Sequence, residues 1–180
     1  MFSVFFKKKI TEDKLMDYFV ISTVKMVDDA FEDVAEIISC DPEFKTRPII
    51  SKTHSDPFLW IVIAGNLNFI PRYFNDYQDI RLAESANRKF ARVLDVPLDI
   101  FKSEIKKYNQ LFSRLNHPSK NTLYAMSKAV FNKYHLGQFQ DEYFKKMDAP
   151  NPVFLKRLDA IMEEFIFDWE QFVDDFKIVE

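Results

Sequence analysis

The sequence predicts an all-α protein that folds as a single-domain globular helical bundle of about six helices. Its 180 residues include 20 phenylalanines, which fill a core without adding chemistry. They include only two glycines, the residue that left-handed turns and phosphate-binding loops need. Apolar residues recur at steps of three and four along most of the chain, and alternating β-branched runs are almost absent. The length also predicts one domain, over residues 1–180.

A long N-terminal helix is predicted from about residue 12 to residue 39. Thr11 is placed to cap its N-terminus. On the polar side, Asp28, Glu32 and Glu36 follow one another at steps of four, so this like-charged ridge must face water or a cation. The apolar face comprises Met16, Val20, Val24, Val27, Phe31, Val34 and Ile38.

The second helix is predicted to be the buried centre of the bundle. Cys40 and Pro42 end the first helix, and a polar connection follows. Pro57 suits the first turn of a helix over residues 58–70, which is apolar almost all round. Pro71 is expected to interrupt this helix, because proline lacks the backbone N–H that a helix interior uses.

Three further helices are predicted in the middle of the chain, over about residues 82–95, 101–115 and 120–134. Each carries apolar residues at helical spacing. Pro97 separates the first two. Gly137 is the predicted C-terminal stop of the third, because glycine adopts the left-handed conformation that commonly ends a helix.

A long C-terminal helix is predicted after the turn that ends at Pro152. The spacing of its apolar seam is heptad-like, but bulky aromatic residues and a second apolar row widen the face. Such a face packs against two helices of a globular bundle rather than forming a coiled coil. The seam comprises Phe154, Leu158, Ile161, Phe165, Trp169, Phe172 and Phe176.

The first ten residues are expected to be peripheral to the domain. Their apolar residues precede their lysines, the reverse of the charge order in a signal peptide. The cluster suits either docking on the core or contact with an anionic membrane surface. It comprises Phe2, Phe5, Phe6, Lys7, Lys8 and Lys9.

Two observations bear on the compartment. The longest apolar stretch, from Phe58 to Ile70, is too short and too polar to span a bilayer. Cys40 is the one cysteine, so neither an intramolecular disulfide nor a multi-thiolate zinc site is possible. We therefore expect a cytoplasmic protein without a transmembrane segment.

Charge is distributed unevenly along the chain, although the net charge is only −3. Residues 73–149 contain 13 Lys or Arg and 9 Asp or Glu, whereas both ends are acidic. The acidic terminal helices therefore either neutralise the basic middle within the fold or leave a basic face for a partner. The candidate partner-binding residues are Arg81, Arg88, Arg92, Lys102 and Lys106.

The leading functional hypothesis is a non-catalytic protein-interaction module with an unidentified protein partner, and self-association is left open. One alternative is a nucleic-acid-binding regulator that uses this basic face. The core spacing around Phe90, Ala91 and Phe101 resembles a helix-turn-helix motif. The sequence departs from that motif at Asp95, where glycine is usual, and at Glu104, where an apolar residue is usual.

The runner-up hypothesis is a binder of a small apolar or anionic ligand within the helical core. Aromatic residues cluster around the predicted break between Gly65 and Pro71, beside asparagines that could orient a guest. Core packing of the aromatic residues and helix capping by the asparagines explain the same pattern. The candidate pocket residues are Trp60, Asn66, Asn68, Tyr73 and Tyr77.

No set of catalytic groups or metal ligands is recognisable. His54, His117 and His135 lack metal-ligand spacing, and the glycine-rich phosphate and dinucleotide motifs are absent. Cys40 shares a polar connection with His54, a pairing that a thiol nucleophile requires but that sequence alone does not establish. The sequence predicts no catalytic residue, no metal and no cofactor. The last helix also carries an acidic stripe, expected to be solvated: Asp159, Glu163, Glu170 and Asp174.

Overall fold

The computed structural model describes residues 7–180, and helices provide almost all of the regular structure there. The all-α prediction is confirmed. The predicted contacts of Phe2, Phe5 and Phe6 lie outside the described residues. The α-helices are α1 (Glu12–Ser39), α2 (Asp56–Tyr73), α3 (Gln78–Val93), α4 (Leu98–Asn116), α5 (Thr122–Lys133), α6 (Glu142–Met147), α7 (Pro152–Glu163) and α8 (Trp169–Asp175). A 3-10 helix, Leu136–Phe139, follows α5, and two strands flank the rest: β1 (Lys8–Thr11) and β2 (Phe176–Val179).

Helix α1 forms as its sequence predicts. The Thr11 hydroxyl accepts a hydrogen bond from the backbone N–H of Lys14 at 3.3 Å, which satisfies one of the unpaired donors of the first turn. Glu12 and Asp13 follow in that turn, where negative charge is favourable. The helix ends at Cys40, whose N–H bonds to the carbonyl of Glu36.

Helix α2 is the centre of the domain, as predicted. It packs against α1, α3, α4, α5 and α8, and its residues from Ile61 to Leu67 are all buried. The predicted break at Pro71 is wrong, because α2 continues through Pro71 to Tyr73. The missing proline N–H removes one bond near the helix end, and the N–H of Phe74 still bonds to the carbonyl of Ile70 at 3.2 Å.

Gly65 allows α2 and α5 to approach closely. A Cβ atom there would overlap the side chain of Met126, with Cε at 2.6 Å and Cγ at 2.8 Å. Neither glycine has a positive φ. The predicted stop at Gly137 is wrong: α5 ends at Lys133, and the left-handed residue is His135, with φ 53°.

The predicted long C-terminal helix is instead two helices, α7 and α8, separated by a turn at residues 164–168. The fully buried side chain of Asn66 explains the turn. Its Nδ2 donates to the carbonyl of Phe165 at 2.8 Å, and its Oδ1 accepts from the N–H of Phe167 at 2.7 Å. Trp169 thereby enters the core, with ring centroids 4.8 Å from Phe19 and 5.5 Å from Phe74.

A short parallel sheet joins the two ends of the described chain. Lys8 pairs with Phe176 and Thr11 with Val179. The strands were not predicted, because four residues each are too few to show a two-residue period. None of the helices in residues 7–180 is both long enough and apolar enough to cross a membrane.

We predict that Gly65→Ala lowers the free energy of unfolding by about 1–3 kcal/mol more than Gly137→Ala does, because overpacking a filled core costs about that much. The control is matched, since a Cβ at Gly137 would meet Phe131 at 3.5 Å, an ordinary contact. Both changes restrict the unfolded chain in the same way. Urea titration of the two variants measures the difference, and equal stabilities would contradict the close α2–α5 packing.

Candidate functional site

The acidic N-terminal helix neutralises part of the basic face of α3. Arg81 binds Glu12 through two nitrogens, at 3.1 and 2.8 Å, and lies 3.0 Å from Glu180. Lys89 contacts both Asp13, at 2.7 Å, and Asp17. Intramolecular pairing, one of the two explanations of the charge distribution, therefore applies to this side of α3.

These ion pairs change the acidity of their members. The hydrogen bonds from Arg81 hold the pKa of the Glu12 carboxyl below its usual value. Burial alone would lower the pKa of the Lys89 ammonium, but its hydrogen bonds with Asp13 and Asp17 raise it. Both groups are thus held in their charged forms.

The acidic ridge on α1 also meets cations. Lys52 lies 3.2 Å from Glu32, and Arg47 lies 2.7 Å from Glu36. Both cations come from the connection between α1 and α2, which is predicted from the sequence as a polar connection. This ridge is therefore partly neutralised within the fold.

Cys40 does not pair with His54. Its Sγ donates to Glu36 at 3.3 Å, and this hydrogen bond raises the pKa of the thiol. His54 packs against the Tyr134 ring, and its carbonyl accepts from the Tyr134 hydroxyl at 2.7 Å. The arrangement keeps Cys40 a thiol rather than a nucleophilic thiolate.

No group of three or more His, Cys, Asp or Glu side chains within residues 7–180 could hold a metal ion.

Asp159, from the predicted acidic stripe, is half-buried instead of solvated. Burial raises the pKa of its carboxyl, against the opposing effects of Ser127 and Lys128.

The five candidate pocket residues occupy different environments. Trp60 stacks on Tyr108 at 6.3 Å within the core, whereas Tyr73 and Tyr77 are exposed. Both amide hydrogens of Asn66 are engaged, since Nδ2 donates to the carbonyl of Val62 as well as to that of Phe165. Asn66 is thus a structural residue with no donor available for a guest.

The basic candidates divide into engaged and unengaged residues. Arg81 is engaged by α1, and Lys102 contacts both carboxylate oxygens of Glu84, at 3.0 and 2.9 Å. Arg88, Arg92 and Lys106 are exposed and form no ion pair with another residue of the described range.

An open groove of about 790 Å³ runs along α4 beside α3, and we refer to it as the α4 groove. None of its lining residues is acidic. Ile105, Gln110 and Ser113 complete its wall. Its other lining residues are basic or polar: Asn87, Lys102, Lys106, Asn109, Arg114 and His117.

The surroundings of the α4 groove are strongly basic. Residues 102–133, which cover most of α4 and all of α5, contain seven Lys or Arg and one acidic residue, Glu104. Glu104 contacts Lys107 on the same helix. Basic residues therefore outnumber acidic ones along these two helices, although the chain carries a net charge of −3.

Amide groups continue from the α4 groove into a second cleft of about 310 Å³ between α4 and α5. Asn109 lines both, and its Oδ1 accepts from Asn68 Nδ2 at 2.8 Å. In the groove itself, Asn87 Oδ1 is buried and has no hydrogen-bond partner among the described residues. The site thus combines positive charge with amides suited to a polar backbone.

The turn between α3 and α4 contains a left-handed residue at the position where the helix-turn-helix motif usually has glycine. Asp95 adopts φ 53°, in the left-handed region that glycine favours. The N–H of Val96 bonds to the carbonyl of Ala91 at 2.9 Å. The departure at Asp95 therefore does not prevent the turn, although Asp99 and Glu104 still add negative charge to α4.

Sequence reasoning identified Lys102 and Lys106 but missed Arg114 and His117. The exposed ridge of α4 could be predicted, because its residues follow one another at steps of four: Lys102, Lys106, Gln110 and Arg114. The contribution of Asn87 could not be predicted from the sequence, because it depends on how α3 packs on α4.

Comparisons with protein-family models, with curated proteins and with solved structures find no match for this chain.

We predict that Asn66→Ala lowers the free energy of unfolding by about 2–4 kcal/mol, because each buried group left unpaired costs about 1–3 kcal/mol. The groups left unpaired are the Phe165 carbonyl and the Phe167 N–H. Asn68→Ala is the control and should cost about 1 kcal/mol, since it removes one half-buried bond. Urea unfolding followed by tryptophan fluorescence compares them, and equal losses would refute the structural role of Asn66.

We also predict that acid stability depends on Glu12. Because its folded-state pKa lies below 4.5, its contribution is complete above that pH and is lost as the pH falls through the folded pKa. Glu12→Gln should therefore flatten the loss of melting temperature between neutral pH and about pH 3. The control is Glu163→Gln, which removes a carboxylate that forms no ion pair within residues 7–180. Identical slopes for parent and Glu12→Gln would contradict the assignment.

Proposed function

We propose that the protein is a non-catalytic interaction module that binds an acidic segment of a protein partner in the α4 groove. The observation that carries the proposal is the composition of the groove. Its lining residues include three basic side chains, Lys102, Lys106 and Arg114, and no carboxylate. A concave surface of one charge sign attracts a partner of the opposite sign and speeds its association. We further propose a cytoplasmic location, which the single cysteine favours.

The dimensions of the groove suit a short peptide. From Lys102 to Arg114, the two outermost cations of the groove, the helix rises about 18 Å, at 1.5 Å per residue. An extended chain covers that distance with about six residues. Asn87, Asn109 and Gln110 supply amides for the peptide backbone, and Ile105 adds an apolar contact.

The internal contacts of the groove do not prevent binding. The pair between Lys102 and Glu84 is partly exposed, with about two fifths of each side chain accessible. Such surface pairs stabilise a fold by about 0–1 kcal/mol. A partner carboxylate can therefore replace Glu84 at little cost, and Lys106 and Arg114 need no rearrangement of an ion pair within the described residues.

The test uses fluorescein-labelled hexaglutamate as the probe, with the full-length chain. We predict that Lys106→Glu combined with Arg114→Glu weakens binding at least about tenfold, because two attractions become repulsions. The matched control is Lys146→Glu with Lys177→Glu, which makes the same change in net charge at exposed positions away from the groove. Fluorescence anisotropy at low salt gives both affinities. Equal weakening by the two pairs would show that the groove is not the binding site.

A second candidate function, nucleic-acid binding through α3 and α4, is favoured by one observation, the left-handed turn at Asp95. No Phe, Tyr or Trp side chain lines the α4 groove to form a stacking platform for single-stranded bases. Duplex DNA is therefore the second probe in the same titration. Binding of the duplex with a steep salt dependence, lost in the Lys106 and Arg114 variant while hexaglutamate fails to bind the parent, would replace the first candidate with the second.

A further inference from the structure

Another cleft, of about 320 Å³, lies between α1 and the C-terminal segment, and its charged residues are acidic, whereas those of the α4 groove are basic. We call it the C-terminal cleft. Its polar residues include Asp168 and Asp175, and none of its lining residues is basic. The volume is at the lower end of the range for small-molecule sites, so it suits a small ligand.

Aromatic rings form much of its wall. Tyr18 lies 5.9 Å from Phe167 and 5.4 Å from Phe172, measured between ring centroids. Phe172 stacks on Phe176 at 4.7 Å. Tyr18 is more than half exposed, so its ring is accessible to a ligand. Exposed aromatic faces attract cations, and the neighbouring carboxylates reinforce that attraction.

The two carboxylates differ in what they already bind. Asp168 caps α8, with Oδ1 accepting from the N–H of Gln171 at 2.9 Å. Asp175 is exposed and forms no ion pair with another described residue. The neighbouring cation Lys7 donates to the Val173 carbonyl at 2.8 Å and lies 4.0 Å from Asp174, neither of which lines the cleft.

Thr23 is an independent indication of a ligand. It is the most buried lining residue, with 1% of its surface exposed, and its hydroxyl has no hydrogen-bond partner among the described residues. A buried hydroxyl without a partner is destabilising, so its presence in a cleft wall calls for a reason. A ligand oxygen provides one once the Thr23 side chain rotates about χ1, because Oγ1 has less than 1 Å² of accessible surface in this structure.

The geometry points to a binding site for a small amine that combines an ammonium group, an aromatic body and one hydroxyl. The ammonium lies beside Asp175 and the exposed Tyr18 ring, the body contacts the aromatic wall, and the hydroxyl pairs with Thr23. This site is separate from the α4 groove, with which it shares no residue.

The experiment uses calorimetric titration of the full chain with three matched compounds. Tyramine carries all three features, phenethylamine lacks the hydroxyl, and 3-(4-hydroxyphenyl)propionate carries the opposite charge. We predict that tyramine binds saturably at millimolar concentrations, phenethylamine about 2–10-fold more weakly for lack of one hydrogen bond, and the propionate not at all.

Two protein variants assign the contacts. Asp175→Asn should weaken tyramine about 3–10-fold, whereas Asp174→Asn, the same change on the adjacent residue outside the cleft, should leave its affinity unchanged. Thr23→Val should keep or raise the melting temperature, because it removes the unpaired hydroxyl, and should abolish the preference for tyramine over phenethylamine. Absent tyramine binding, equal binding of the propionate, or an unaltered preference in Thr23→Val would overturn the proposal.

Discussion

The buried amide of Asn66 is the contact on which the arrangement of the C-terminal third depends. It lies on the central helix α2 and binds backbone groups on both sides of the α7–α8 turn. The turn directs Trp169 into the core against Phe19 and Phe74. It also brings β2 beside β1, so that one internal side chain determines where the two ends of the described chain meet. A buried polar group that is fully hydrogen-bonded specifies a conformation in a way that apolar packing alone does not.

The distribution of charge follows from the same arrangement. Because α1 packs on α3, Glu12 and Asp13 neutralise Arg81 and Lys89 within the fold. On α4, only Lys102 and Lys107 form ion pairs among the described residues, with Glu84 and Glu104, so Lys106 and Arg114 remain unpaired. The acidic C-terminal segment packs along the N-terminal half of α1, between Tyr18 and Met26, and borders the C-terminal cleft. A chain of net charge −3 thereby presents two surfaces of opposite sign.

Much of the fold could be predicted from the periodicity of apolar residues, and the predictions that were wrong failed for specific physical reasons. Helix α1 and the burial of α2 were predicted correctly, because caps and apolar patterns are local. The α7–α8 turn was missed because Leu158, Phe165 and Trp169 keep helical spacing across it, while its cause, Asn66, is about a hundred residues away. Left-handed positions were assigned to glycine, yet they are held by Asp76, Tyr77, Asp95, His135 and Asp148. The basic ridge of α4 was partly predicted, whereas the C-terminal cleft depends on long-range packing and left no pattern in the sequence.

The two surfaces differ in how firmly their binding groups are held and in how many charges act on the ligand, and the second difference determines how each responds to salt. The cations of the α4 groove stand on one straight helix, so their spacing is fixed, but their long side chains lose rotamer freedom when they bind. Their attraction acts through water and is screened within about 8 Å at physiological ionic strength. In the C-terminal cleft, Thr23 and the aromatic rings are already ordered by packing, so less entropy is lost on binding. Salt should therefore weaken an acidic partner in the groove much more than an amine in the cleft, which makes ionic strength the variable that separates the two sites in a single preparation.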